Sequence, residues 1–279
     1  MHETSSFSGV TPARWSVIIP AYNEEDFLSE TVASIKAQTV ANATLILVDN
    51  KSTDGTRKVM EEIASSSPER EIVILSDDRP GKINALETGI AAVETEFVSL
   101  CDADTIYPPD YLARAEEMMD ANDTVAAAFA FGVYADDSKF RSWYRRNKGA
   151  LMASLARNQG HTGGYGQSYR TANLRKAGGY AASLWPFMVA DHEIVNRVAK
   201  TGAIAYRADH FCITSERRGA RGNVDWRLHE RLLYNFLPHS RQDWFFYSYL
   251  KPRFEARRMF NANLRDRDWE ATEKPPSAD

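Results

Sequence analysis

Two carboxylates two residues apart, Asp102 and Asp104, close the apolar run Phe97-Val98-Ser99-Leu100-Cys101. A short apolar run of this kind reads as a buried strand. Acids at its end would sit at the carboxyl edge of a sheet, where open α/β folds bind ligands. Hard divalent cations take carboxylate oxygens, and Mg²⁺ is usually held by one or two of them together with substrate phosphates. The chemistry within reach of this pair is therefore a metal–diphosphate site. A turn or helix-capping pair ahead of Pro108-Pro109 is the plainer alternative, and Asp-x-Asp alone does not decide between them.

The elements that would have to position such a pair are written in the first hundred residues. Trp15 to Pro20 is strand-like and is followed by a turn at Ala21-Tyr22-Asn23. A helix then places Phe27, Leu28, Val32 and Ile35 on one stripe. Leu45 to Val48 is a second strand ending at Asp49, and the turn Asn50 to Gly55 leads into a helix carrying Val59, Met60 and Ile63. Ile72 to Leu75 is a third strand, its following helix spaces Ile83, Leu86, Ile90 and Val93 along one face, and Phe97 to Leu100 is the fourth strand. Repeated βαβ units with short turns predict a mainly parallel sheet with right-handed crossovers. No Gly-x-Gly-x-x-Gly follows the first strand and no Gly-x4-Gly-Lys-Ser/Thr occurs, which disfavours a dinucleotide-binding enzyme and a P-loop NTPase.

The second half is less regular. Val125 to Phe131 predicts another strand, residues 141 to 157 a basic helix, Gly160 to Gly166 a loop whose backbone approaches something closely, and Ile204 to Ile213 a strand. A helix runs through Ile194 to Ala199, with Gly202 as its cap.

At 279 residues there is ample chain for a core. The hydrophobic content of 43% and charged content of 26% are ordinary for a soluble globular protein. A net charge of −4 argues against a general nucleic-acid binder. Cys101 and Cys212 are the only cysteines, so neither a disulfide framework nor a Cys-rich zinc site is expected. The N-terminal residues lack the basic-then-apolar layout of a signal peptide, and no apolar stretch approaches the ~18 residues that span a bilayer. A cytoplasmic location is the expectation.

Five signals in one order then carry a family resemblance over roughly residues 15 to 218. Val17-Ile18-Ile19-Pro20-Ala21-Tyr22-Asn23-Glu24 resembles the opening of the family-2 glycosyltransferases. Val48-Asp49-Asn50-Lys51-Ser52-Thr53-Asp54-Gly55-Thr56 resembles their second-strand signature, and Gly81-Lys82-Ile83-Asn84-Ala85-Leu86 their third. Asp102-Ala103-Asp104 resembles their metal motif, and Ala190-Asp191-His192-Glu193-Ile194, with Arg197 and Gly202 beyond, the segment that carries their catalytic base. The resemblance implies an α/β fold of the GT-A type: a single domain with a mainly parallel mixed sheet flanked by helices, and a C-terminal helical extension. The boundaries it implies are a GT-A domain (15–218) with a nucleotide-binding half (15–104) and an acceptor half (105–218); composition adds a flexible N-terminus (1–14), an aromatic and basic helical extension (219–268), and a disordered tail (269–279).

The residues then take expected roles. Asp49, at a strand end, can accept the imide N–H of a pyrimidine or bond another base edge; its rival role is a turn aspartate. Pro20, Tyr22 and Glu24 line the exit of the first strand, where similar residues of the family bound the nucleoside. Asp54 caps the following helix or joins the site. Lys82, at a strand-to-helix turn, could meet a base, ribose or phosphate. Asp102 would contact ribose or metal-bound water, and Asp104 would ligate Mg²⁺ or Mn²⁺, with Ala103 between them. Asp191 is the candidate general base, with Glu193 in reserve; the family's usual acid before the base is replaced here by Ala190. Gly163-Gly164-Tyr165-Gly166-Gln167-Ser168-Tyr169-Arg170 resembles the family's loop beneath the donor sugar; small residues such as Gly164 would admit the sugar, and Arg170 could meet phosphate. Relatives place a histidine metal ligand near Ile213; either His210, upstream of that point, serves, or phosphates and water complete the shell. Arg217 and Arg218 could offset diphosphate charge as guanidinium clamps.

The reading is a metal-dependent, inverting transferase moving a sugar from a nucleotide diphosphate sugar (UDP favoured over GDP or dTDP) to the hydroxyl of a sugar or lipid-linked acceptor. A retaining transferase, a nucleotidyltransferase and a non-catalytic sugar-nucleotide-binding protein are the alternatives. The stretch from Trp226 to Phe260 mixes aromatics with an excess of cations. It is expected to form helices over the acceptor cleft; a peripheral membrane contact and a dimer interface are its other readings.

Overall fold

The computed structural model describes residues 12–40, 42–155, 160–215 and 227–266. The first half alternates as its spacing predicts: β1 (Trp15–Ala21), α1 (Leu28–Lys36), β2 (Thr44–Asp49), α2 (Thr56–Ser65), β3 (Ile72–Ser76), α3 (Lys82–Ala91) and β4 (Phe97–Leu100). There follow β5 (Thr105–Ile106), α4 (Tyr111–Asp120), β6 (Val125–Tyr134), α5 (Lys139–Leu155), β7 (Gln167–Arg170), α6 (Thr171–Lys176), α7 (Ala190–Val198) and β8 (Ala203–Thr214). After the last strand come α8 (Leu228–Phe236), a π-helical segment (Trp244–Leu250) and α9 (Lys251–Ala256).

Among the described residues the strands form one sheet in the order β3-β2-β1-β4-β7-β6-β8-β5. β1 to β4 are mutually parallel, β7 runs against both β4 and β6, and β6 and β8 are parallel. The result is a mainly parallel mixed sheet whose β1, β2 and β4 ends share one edge. β1, β2 and β4 are almost wholly buried, which is why they read as near-continuous apolar runs.

Successive side chains serve opposite cores, as the period of two requires. Val17, Ile19, Leu45, Leu47 and Phe97 pack with α1, α2 and α4. Ile18, Ile46, Val48, Val98 and Leu100 pack with α3 and α7 and with Phe245, Phe246, Leu250 and Phe254 from the C-terminal helices. Helix α3 comes close to the sheet because Gly89 has no side chain; a Cβ there would stand 2.6 Å from Ile18 Cγ2.

Two expectations change. The run Gly163 to Arg170 is not all loop: Gln167–Arg170 is a strand paired against the strand that ends in the aspartates. Gly202 is not the cap of α7, a place taken by Ala199; it lies where a Cβ would meet the Thr124 carbonyl oxygen at 2.6 Å.

Candidate functional site at the strand ends

The Asp-Ala-Asp segment leaves β4 buried and is tied to its neighbours. The Cys101 N–H donates to the Ile18 carbonyl at 2.9 Å, continuing the parallel ladder past the strand. The Asp102 N–H donates to the Tyr107 hydroxyl at 2.8 Å, and that hydroxyl donates in turn to the Tyr165 carbonyl at 2.8 Å. Burial pushes the Tyr107 phenol well above its usual range, so it stays protonated and keeps that donor. The Thr31 hydroxyl donates to the Ala103 carbonyl at 2.8 Å, fixing the middle residue to α1. These bonds fix the backbone of the segment and leave both carboxylates to side-chain chemistry.

Asp102 forms an ion pair with Lys82. Lys82 opens α3 directly after Gly81, whose φ of 112° is one an L side chain rarely adopts. That turn is braced from both sides. The Gly81 N–H donates to Asn50 Oδ1 at 3.0 Å, and Asn50 Nδ2 donates to the carbonyls of Asp77 and Arg79, each at 2.8 Å. On the other side the Ile83 N–H donates to Asn261 Oδ1 at 3.2 Å. Asp104 accepts from the Ser215 hydroxyl at 2.7 Å. Ser215 follows β8 at the point where the resemblance leads one to look for a histidine.

Asp191 reaches the same place from the far half of the chain. It lies in the first turn of α7, preceded by Val189 in a left-handed conformation (φ 56°, ψ 30°); for a β-branched residue this is a strained position. The Asp191 carbonyl accepts from Gln167 Nε2 at 3.1 Å. Gln167 is fully buried, pairs in register with Leu100 of β4, and accepts from the hydroxyls of Tyr169 (2.6 Å) and Tyr180 (2.7 Å). Gly164 stands between the two halves: a Cβ built on it would lie 3.4 Å from Lys82 Nζ and 3.5 Å from Asp191 Cβ. Lys82, Asp102, Gly164 and Asp191, predicted separately, thus form one group.

Asp49 ends β2 in register with Ala21 of β1, so it borders Tyr22. Its Oδ1 accepts the Ser52 N–H at 3.0 Å, the turn role weighed for it. Pro20 is on β1 opposite Val48, and Tyr22 and Glu24 are half-buried just beyond the strand. The turn they occupy is zipped to the next by Asn23, which accepts the Thr53 N–H at 2.8 Å, and by the Glu24 N–H, which donates to Thr56 Oγ1 at 2.7 Å. Asp54 accepts the Thr56 N–H at 3.0 Å, a helix-start role.

Three predicted residues do not join the group. Arg170 is paired with Phe97 at the first residue of β4, the opposite edge of the sheet from Asp102, and is engaged by Glu96 at 3.3 Å and by the carbonyls of Val125 and Met119. His210 is fully buried with its ring stacked 4.8 Å from that of Tyr111. Its charged neighbours are Asp209, Arg207, Arg114 and Asp110, not the strand-end aspartates. Among the described residues no three His, Cys, Asp or Glu side chains converge as a metal cage, and the structure does not bring His210 to Asp102 and Asp104. Glu193 is fully buried and bound at both oxygens by Arg197, each at 2.8 Å, and it also accepts from the Tyr247 hydroxyl; it is a structural anion. Arg217 and Arg218 lie outside the described residues.

Four contributors were not singled out from sequence: Asn50, Tyr107, Gln167 and Ser215. Each acts by a hydrogen bond across the fold, and no local spacing marks such a bond.

A sheet of this order, with acids at its parallel strand ends, defines a GT-A type α/β protein. The chain matches the profile of Glycosyl transferase family 2 over residues 16–178, and it belongs to that family. It is similar to the undecaprenyl-phosphate 4-deoxy-4-formamido-L-arabinose transferase of Edwardsiella ictaluri, at 30% identity over half of this chain and 42% of that one. It is also similar to the Escherichia coli enzyme named UDP-Glc:alpha-D-GlcNAc-diphosphoundecaprenol beta-1,3-glucosyltransferase, at 31% identity over 43% of this chain and 45% of that one. The chain spans less than half the length of the curated relatives it matches. A mannosyltransferase of Pyrobaculum calidifontis, solved in complex with GDP-Man and Mn²⁺, shares the fold with a TM-score of 0.66 and 22% identity, over 98% of this chain and 81% of that one.

Proposed function

We propose that the protein transfers a sugar from a nucleotide diphosphate sugar to a hydroxyl acceptor, with inversion at the anomeric carbon. The observation that carries the reading is the meeting of Asp191 with Lys82 and Asp102 around Gly164. In the proposed reaction Asp191 takes the proton of the acceptor hydroxyl as that oxygen bonds to the anomeric carbon. The bond from that carbon to the diphosphate breaks on the opposite face, and the nucleoside diphosphate leaves. Base and leaving group on opposite faces give inversion in one displacement. Asp49, Pro20, Tyr22 and Glu24 would border the nucleoside at the β1 and β2 ends, and the Lys82 ammonium would orient the ribose or phosphates. Uridine is the favoured base, and the E. coli relative's name specifies a UDP sugar; GDP, named for the Pyrobaculum complex, is the alternative.

The donor set suits a hard divalent ion: two buried carboxylates, with the Ser215 hydroxyl beside Asp104. Asp104, with Asp102, would hold Mg²⁺ or Mn²⁺, which would neutralise charge on the departing diphosphate. Both named relatives carry an undecaprenyl-linked substrate in their names, and this supports a lipid-linked acceptor and a reaction at the cytoplasmic face of a membrane. Among the described residues no helix is long and apolar enough to cross a bilayer. On this reading residues 15–104 take the donor and 105–218 the acceptor.

Asp191→Asn tests the assignment. It should keep the rise in melting temperature given by the cognate nucleotide sugar while losing turnover by a factor of ~10² to 10⁴, the range of a general base. Unchanged turnover in that variant, or no shift of the folded protein with any UDP, GDP or dTDP sugar in Mg²⁺ or Mn²⁺, would sink the reading.

A further inference from the structure

Helix α5 is arranged the wrong way round for a helix on a soluble surface. It rests on the sheet through Arg146, Gly149 and Ala153. The Arg146 guanidinium lies 4.5 Å from the Phe211 ring centre, a Cβ on Gly149 would fall 2.6 Å from Phe131, and Ala153 is the buried residue of the helix. The opposite stripe presents Phe140, Tyr144, Leu151 and Leu155, exposed by 71, 53, 61 and 75%. Trp143 and Met152 flank it at 53 and 46%. A surface helix normally turns such a stripe inward, and a contiguous apolar face of this kind marks an interaction surface.

Its charge says what the face meets. Over seventeen residues α5 carries Lys139, Arg141, Arg145, Arg146 and Lys148 and no carboxylate, in a chain whose net charge is −4. Arg145 is held by Asp137 at 2.9 Å, while Lys139, Arg141 and Lys148 are exposed beside the aromatic residues. A second copy laid against this face would bring Lys139, Arg141 and Lys148 up against the same three cations. A bilayer with anionic headgroups meets both features at once: aromatic rings sit at the headgroup level, and each nearby Lys or Arg adds attraction to anionic lipid.

We propose that α5 docks the protein on an anionic lipid bilayer. It lies in the interface, with Phe140, Leu151 and Leu155 among the acyl chains, Tyr144 at the headgroup level, and Arg141 and Lys148 at the phosphates. The helix leaves the sheet at the edge that carries the site. It follows β6, whose Val133 and Tyr134 pair with Ile213 and Thr214 of β8, and Thr214 pairs with Thr105, the neighbour of Asp104. Only the purpose of docking, access to a lipid-linked acceptor, rests on the proposed function; the binding itself does not.

The test is co-sedimentation of the full chain, without donor, with phosphatidylcholine vesicles lacking or containing phosphatidylglycerol. The expected result is binding that requires phosphatidylglycerol, weakens with salt, and falls by about tenfold or more in Phe140→Ser/Leu151→Ser/Leu155→Ser. Arg141→Gln/Lys148→Gln should weaken binding while leaving the apolar stripe intact. Both variants should keep the donor-induced rise in melting temperature, which separates this proposal from the transferase reading. Folded protein that ignores the vesicles, binds both lipids equally, or binds undiminished in the triple serine variant overturns it. So does a dimer in sedimentation equilibrium that the triple variant dissociates, because the face then belongs to a second copy.

Discussion

At His210 the fold holds a titratable ring where charge is unwelcome. The ring is fully buried against Tyr111, and neither nitrogen has a hydrogen-bond partner among the described residues. Burial pushes its pKa down to about 3, against ~6.5 in an unfolded chain. Between those two values the unfolded state binds a proton that the folded state refuses. Stability is therefore full above about pH 6.5 and falls as the pH drops toward 3, by up to ~1.4 kcal/mol per pH unit. His210→Phe keeps a stacked ring and removes the proton, so the variant should lose less stability than the parent between about pH 7 and 5. Urea unfolding midpoints across that range check it, and parallel curves for the two proteins would count against the buried, neutral ring. His210 was a candidate ligand because it lies just upstream of the point where the resemblance leads one to look for a histidine. Its burial follows from the face of β8 it occupies: His210, Cys212 and Thr214 alternate inward, a fact that needs the register of the sheet.

The same limit appears at the scale of elements. Strands β1, β2 and β4 were legible because both faces are buried, so each is a near-continuous apolar run bounded by turn residues; β3 is only half-buried but keeps the apolar run Ile72 to Leu75. β7, written Gln167-Ser168-Tyr169-Arg170, is four residues long and polar. It is interior only because its side chains find partners: Gln167 meets Asp191, Tyr169 and Tyr180, and Ser168 donates to Ser99 at 3.0 Å. Reading it as loop also carried Arg170 to the wrong edge of the sheet. Once β7 is seen, Gln167 becomes the tie between the aspartate strand and the start of α7, and it acts as a positioning residue for the proposed base. Gln167→Leu removes that tie and strands two buried hydroxyls, costing about 1–3 kcal/mol of stability. We expect kcat to fall about tenfold or more, since a misplaced base is costly, with donor affinity nearly unchanged. A parallel loss of donor affinity would show instead that Gln167 supports the donor half of the site.

For the molecule as a whole, the decisive feature is that the C-terminal helices complete a core begun by the first strands. Phe245, Phe246, Leu250 and Phe254 are fully buried in the cluster that also holds Ile18, Ile46 and Trp185. Trp185 meets the rings of Phe246 at 5.5 Å and Phe254 at 6.0 Å. Phe187 and Phe260 bridge and stack at 5.0 Å. The sequence showed this segment as aromatic and basic but not which aromatics turn inward, because a π-helical stretch such as Trp244–Leu250 departs from the 3.6-residue period. The connection also reaches the site, since Asn261, held to the Pro186 carbonyl through its N–H at 2.9 Å, accepts the Ile83 N–H next to Lys82. A core shared in this way should melt as one unit. Phe254→Ala should lower stability by about 3–5 kcal/mol while preserving a single transition by tryptophan fluorescence and far-ultraviolet circular dichroism. If the C-terminal helices were an appendage, the same substitution would split the curve, releasing the tail first and leaving the strand domain at its original midpoint. Coincident, shifted transitions would mean that the ends of the chain stabilise each other, with the turn that presents Lys82 lying between them.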